Sequence, residues 1–229
     1  MIWLKFLDEK IIALRNEMRE QEQHELAQQE AALKVEQEEP QQEVQQEIQA
    51  VDLYQYFITI DDLEVSVIDQ AILEGKINLR MPKLFSIMLP ELASFKYPSE
   101  RRPTIIYTDE STTINLAFNM TTHSISDTEV AEFQEEMIDI LEQAQPSAEW
   151  LDTDVIEIND KTIGFLEVIT PAIDGDIFNL MFFASIDGQA LIGTFNCMDE
   201  DFETWRPIAR AMMGTLQFAA NRRNGGAQL

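Results

Sequence analysis

Apolar positions follow three patterns in turn along the chain. Leu4, Leu7, Ile11, Leu14 and Met18 recur at alternating spacings of three and four, and Trp3, Phe6 and Ile12 widen the stripe. That spacing predicts an amphipathic helix with three destinations open to it: its own domain, another surface, or a second copy of the chain, giving a homo-oligomer. The stripe then dissolves into "EQEQHELAQQEAALKVEQEEPQQEVQQEIQ", where Gln and Glu dominate and few side chains have anything to bury. Residues 20–50 therefore read as a solvated helix or flexible spacer, interrupted near Pro40.

From residue 51 the period shortens to that of strands. "YQYFITIDDLEVSVID" is rich in β-branched residues, and "GKINLRMP" and "LFSIMLP" are short apolar pieces stopped by Pro82 and Pro90. "PTIIYTDESTTINLAFNMT" predicts a hairpin turning at Asp109 to Ser111, with Ile114, Leu116, Phe118 and Met120 alternating with polar or small residues. Pro98 and Pro103 hold "YPSERRP" as a rigid surface connection into that hairpin, where Arg101 and Arg102 find acidic neighbours in Glu100 and Asp109.

"SDTE" at residues 126–129 has the form of a capping box, and Val130, Phe133, Met137, Ile140 and Leu141 continue at helical spacing to Pro146. "VIEIN", "KTIGFLEVITP", "DIFNLMFFASI" and "QALIGTFNCM" predict an antiparallel meander with tight turns at Asn159–Asp160 and Asp187–Gly188. A closing helix over roughly residues 200–213 buries Phe202, Trp205, Ile208, Ala209 and Met212, with Pro207 kinking it or opening its main part. The sum is an α+β domain over residues 51–219, an antiparallel sheet flanked by helices, preceded by the helix and spacer of 1–50 and followed by a flexible tail at 220–229. In "DIFNLMFFASI", Phe178, Leu180, Phe182, Ala184 and Ile186 face the helices while Met181 and Phe183 point the other way. The second sheet face is thus also apolar, and the helix at the N-terminus, a further strand layer or another molecule has to cover it.

Charge narrows the partners. The chain carries 16 Lys and Arg against 42 Asp and Glu, for a formal net charge of -26. Residues 1–50 hold 5 of the basic and 12 of the acidic residues, so the globular part is acidic in its own right. Such a surface repels phosphate backbones and anionic lipid, which argues against nucleic acid and against membrane insertion, as does the lack of a long apolar run. One cysteine, Cys197, offers no internal disulfide, and Lys5, Asp8, Glu9 and Lys10 break up the apolar start that a signal peptide requires; the expected location is cytoplasmic.

Catalytic chemistry finds little support. No phosphate loop, zinc spacing or nucleophile elbow occurs, so no metal, cofactor or enzyme activity is expected. A Cys197–His123 nucleophile pair is weighed against Cys197 as a small core residue, and the latter is preferred. "MDEDFE" at 198–203 reads as acidic residues favoured at a helix start, and Asp174 and Asp176 read as a strand connection.

"INLRMPKLFSIMLP", "KYPSERRPTIIYTDESTTINLAF", "NDKTIGFLEVITPAIDGDIFNLMFFASIDGQALIGTFNC" and "WRPIARAMMGTLQF" together resemble the PsbP-like superfamily, over roughly residues 75–218. That superfamily includes the Ran-binding Mog protein, DcrB-like bacterial proteins and the Eag chaperones of type VI secretion effectors. The resemblance implies an antiparallel sheet between helices and a binding or chaperone role without catalysis; it assigns no partner-contacting residue here. The expected function is a chaperone or adaptor for an apolar segment of a secreted effector or toxin. The sheet residues Ile163, Phe165, Met181, Phe183 and Ile192 are the expected contact, and Leu4, Leu7, Ile11, Leu14 and Met18 form a docking helix. The alternatives are an immunity or inhibitor protein whose acidic surface masks a basic toxin, and a small-GTPase regulator.

Overall fold

The computed structural model describes residues 50–99 and 102–219. The expectations for the N-terminal helix and spacer, for Glu100 and Arg101, and for the tail from residue 220 lie outside the described residues. The chain divides into two compact units, Met1–Glu47 and Ile48–Leu229, and the described residues all belong to the second.

Two antiparallel sheets organise it. Strands β1 (Phe57–Ile60), β2 (Leu63–Ile72), β3 (Ile77–Pro82) and the C-terminal β11 (Gln217–Phe218) form a four-stranded sheet in the order β1-β2-β3-β11. The larger sheet has seven strands: β4 (Ser86–Ile87), β5 (Ile105–Thr108), β6 (Asn115–Ser124), β7 (Glu149–Ile158), β8 (Lys161–Ala172), β9 (Gly175–Ile186) and β10 (Gln189–Met198), ordered β4-β5-β6-β10-β9-β8-β7. Helix α1 (Pro90–Lys96) follows β4, α2 (Val130–Ala144) connects β6 to β7, and α3 (Phe202–Gly214) connects β10 to β11. This is the expected α+β class.

The hairpins are set by their turn residues. Asp61–Asp62, Asn159–Asp160 and Asp187–Gly188 all have positive φ at both loop positions, the backbone that matches strand twist in a two-residue turn. At Gly193 of β10 the Phe182 ring lies where a side chain would stand: a Cβ there would come within 2.0 Å of it. Phe182 in turn meets Phe118 of β6 edge-on, with ring centroids 5.9 Å apart.

Each face of the large sheet carries its own helix. On one side Val130 and Phe133 of α2 bury Leu166, Val168, Phe183 and Ala190, and Met137 and Leu141 pack against the same group. The capping box forms as expected: the Glu129 carboxylate accepts from the Ser126 N–H at 2.8 Å and from its hydroxyl at 2.6 Å. Those two bonds hold the Glu129 carboxyl below its ordinary range. Gln134 is buried against Gly164 and donates to the Phe165 carbonyl at 2.6 Å, which satisfies its amide inside the layer.

On the other side α3 contacts β9, β10 and β3, so one helix joins the two sheets. Trp205 stacks on Phe195 at 5.9 Å and meets Phe85 edge-on at 5.7 Å. Ile208 and Met212 share one core with Phe178, Leu180 and Phe182 of the large sheet and Ile77, Leu79 and Met81 of the small one. The face of Met181 and Phe183, expected to be covered by the N-terminal helix, a further strand layer or another molecule, is covered by α2, while the small sheet joins α3 over the opposite face.

A buried charge cluster pins α3 in place. Glu167 of β8 has a side chain with 0% exposure, and its carboxylate accepts from Arg206 at 2.9 and 2.7 Å. Arg210, one turn on, donates its Nε to the other carboxylate oxygen and reaches Asp152 of β7 at 2.5 Å. The Arg210 guanidinium also lies 4.1 Å from the centre of the Phe165 ring.

Two outcomes are expected in urea titrations of the full chain. Glu167→Ala strands two arginines at the helix–sheet interface and lowers stability by about 3–5 kcal/mol, whereas replacing Glu167, Arg206 and Arg210 together by Leu, Met and Met recovers most of that loss. Gly193→Ala displaces the Phe182 ring and costs about 1–3 kcal/mol; an unchanged midpoint would show that the ring is free to move aside.

Candidate partner-binding surface

The sheet residues expected to hold a client do not form one surface. Phe165 lies opposite Phe182 in the β8–β9 register, and Ile163, two residues back, shares its side; both are buried in the core under α3. Gly164 lies opposite Phe183, which is buried under α2 with its ring 5.6 Å from that of Phe133. Met181 and Ile192 are half-buried and pack into the same α2 cluster. The five side chains are therefore split between opposite faces, each closed by a helix. The apolar alternation that suggested a binding face is explained by burial on both sides.

Nucleophilic chemistry has no geometry to support it. Cys197 is buried in the α3 core, and burial, with Asp201 and Asp199 nearby, pushes its thiol up to about 12. It is a thiol at neutral pH. His123 stacks against Phe133 of α2, on the other face, and the register pairing Gln189 with the neighbouring Ser124 sets it at the opposite end of β10, about 25 Å from Cys197 by strand rise. Among the described residues no group of His, Cys, Asp and Glu has the arrangement of a metal site. The acidic residues opening α3 gather with others: burial and the neighbouring Glu200, Asp61 and Asp109 raise the Asp201 carboxyl above its usual range.

With both faces covered, apolar surface remains at the corners. Phe95 is 83%, Leu89 68% and Ile87 61% exposed, all on the β4–α1 segment at one edge of the large sheet. The short strand is the reason: β4 pairs only through Ser86 and Ile87 with Thr108 and Tyr107, and Pro90 then opens α1. Met88 and Ala93 turn inward onto Ile106 and Ala117, which anchors the corner and leaves its other side chains outside. Between α1 and the approach to β5 lies a groove of about 310 Å³, lined mainly by Ile87, Met88, Pro103, Ile105 and Ile106 and bordered by Arg102.

Of the two acidic neighbours expected for the arginine pair, Glu100 lies outside the described residues and Asp109 is turned to its own loop. Arg102 donates to the Ser94 hydroxyl of α1 at 2.6 Å. Asp109, its expected partner, accepts instead from the N–H groups of Ser111 at 2.9 Å and Ile114 at 3.0 Å, which closes the β5–β6 turn around Thr112 at positive φ. Lys96 at the end of α1 donates to the Thr112 carbonyl, tying the corner to that turn. A second exposed apolar group, Tyr54, Tyr56, Phe57 and Leu63, borders the small sheet, with the Arg80 guanidinium 5.7 Å from the Tyr54 ring centre.

Sequence spacing did not disclose the β4–α1 corner, because its apolar residues read as ordinary short core pieces. Glu167 was legible in principle. An acidic residue two positions from Phe165, on the core side of an apolar strand, requires a cation, and Arg206 and Arg210 stand one turn apart on the closing helix.

No family model matches the sequence, and no curated protein is similar to it in sequence. In fold the chain is similar to cyanobacterial PsbP (CyanoP) from Synechocystis sp. PCC 6803, with a TM-score of 0.50 and 10% identity over 67% of this chain and 93% of that one. It also resembles LpqN, involved in cell envelope biogenesis of Mycobacterium tuberculosis, with a TM-score of 0.46 and 12% identity over 74% of this chain and 98% of that one. At 10% identity the likeness to CyanoP is one of fold. Among the described residues no helix is long and apolar enough to cross a membrane. The antiparallel sheet held between α2 and α3 is the PsbP-like fold that the sequence resemblance implies.

Proposed function

We propose that this protein is a non-catalytic accessory protein that binds another protein, holding an apolar segment of that partner at the β4–α1 corner. The observation that carries the reading is the exposure of Ile87, Leu89 and Phe95 on the β4–α1 segment, with Ile87 also lining the groove beside β5. Three large apolar side chains left in water at one sheet edge have a hydration cost that a partner's apolar surface relieves. The corner is anchored by Met88 and Ala93, so the contact is presented on a preformed backbone. The partner is read as a secreted effector or toxin and the binding protein as its chaperone or adaptor, on the resemblance in sequence pattern; a cytoplasmic location is read from the lone Cys197.

A second reading is favoured by one feature. From Pro103 to Asp160 the chain has 14 acidic residues and no Lys or Arg. Glu132, Glu135, Asp139 and Glu142 recur along the exposed side of α2, a stripe suited to a cationic protein such as a basic toxin. Binding through that stripe would weaken steeply with salt, whereas apolar capture at the corner would persist.

A photoreactive phenylalanine analogue at position 95, introduced in the host cell, is expected to give a cross-linked adduct of defined mass, and the same probe at Ile173, on the exposed β8–β9 turn, is not. Leu89→Asp should abolish the adduct without changing the melting temperature, since Leu89 is exposed. Equal adducts from both positions, or an adduct unaffected by Leu89→Asp, would place the partner elsewhere.

A further inference from the structure

We infer that the segment received in the groove is extended and bears a carboxylate, which Arg102 binds; this rests on the reading of the corner as the partner site. Three observations carry it. First, charge is distributed unevenly. The described part of residues 81–103 contains Lys83, Lys96 and Arg102 against Glu91, the reverse of a chain that is -26 overall, and the 58 residues from 103 to 160 have no basic residue. A carboxylate is repelled by most of this protein and drawn to that corner.

Second, the cation is positioned. Arg102 lines the groove, and its Nη1 donates to Ser94 Oγ at 2.6 Å, which holds the guanidinium between α1 and the approach to β5. Among the described residues Arg102 is held by a neutral hydroxyl, which keeps its charge available to an acid. The other described Arg and Lys residues that pair with acids have their partners at hand: Lys76 with Asp187, Arg80 with Asp69, Lys161 with Asp127, and Arg206 and Arg210 with Glu167.

Third, the groove follows a strand. On its outer side β5 pairs with β4 at Tyr107 and Thr108, and the Met88 N–H reaches the Ile106 carbonyl; the approach at Pro103–Ile105 borders the groove. An extended segment placed there continues the sheet edge, directs alternate apolar side chains onto Ile87 and Ile105, and sets the residue between them toward Arg102.

The test uses the full chain and three fluorescein-labelled nine-residue peptides, alternating Val with Asp, Val with Asn, and Val with Lys, followed by fluorescence anisotropy. The Asp peptide is expected to bind about tenfold more tightly than the Asn peptide, and the Lys peptide more weakly than either. Arg102→Gln should bring the Asp peptide to the level of the Asn peptide and leave the latter unchanged, with circular dichroism confirming an intact fold. If the Asp and Asn peptides bind equally well, or if the preference for Asp survives Arg102→Gln, the carboxylate contact is wrong while the apolar site stands. If no peptide binds, the site itself fails as well. If the chain forms a dimer that Arg102→Gln dissociates, the acid belongs to a second copy and the inference is overturned.

Discussion

A carboxylate without water has to be surrounded by cations, and Glu167 is surrounded by two that come from one helix. Arg206 and Arg210 stand one turn apart on α3, so their guanidinium groups reach the same carboxylate from adjacent turns, and Asp152 accepts from Nη2 of Arg210. The pairing does more than cancel charge. It fixes the rotation of α3 on the sheet, because a helix turned by one residue would put Trp205 and Ala209, or Pro207 and Ala211, over Glu167 and leave the acid unpaired. With that rotation set, Trp205 meets Phe85 and Phe195, and the helix end delivers Thr215, whose hydroxyl accepts from the Arg80 N–H at 2.9 Å, to the strand that pairs with β11. The small sheet is therefore joined to the large one through α3, and the geometry of that joint begins at Glu167.

Closure of both sheet faces is the consequence. α2 seals one with Val130 and Phe133, and α3 together with the small sheet seals the other. A PsbP-like sheet built this way offers a partner its edges and corners, not its faces. The two edges of the large sheet differ. Edge strand β7 carries exposed Glu149, Asp152, Asp154 and Glu157, charges that discourage pairing with another chain, while β4 is two residues long and gives way to an apolar corner with a cationic border.

The meander, α2 with its capping box, and α3 with its buried stripe were all legible, because each is a local pattern: alternation, a Ser-x-x-Glu start, or apolar residues at helical spacing. Division of the strands into two sheets was not legible, since it depends on β11 pairing with β3 across more than a hundred residues of chain. The five expected contact residues were assigned to one face for a related reason. Phe183 and Ile163 both looked like sheet-face residues without a cover, yet parity along neighbouring strands sets them on opposite sides, and pairing register is a tertiary property. The β4–α1 corner escaped notice because exposure of Phe95 depends on where a two-residue strand ends, which composition does not encode.

Hydroxyl-radical footprinting of the native full chain, read residue by residue by mass spectrometry, distinguishes a sheet closed on both faces from an open one. Phe95 and Leu89 should be oxidised nearly as fast as in the urea-unfolded protein, while Phe165 and Phe183, on opposite faces, should both be strongly protected. Oxidation of Phe183 or Phe165 at a rate matching Phe95 would mean that a face stands open to solvent, and the assignment of the β4–α1 corner as the partner surface would lose its basis.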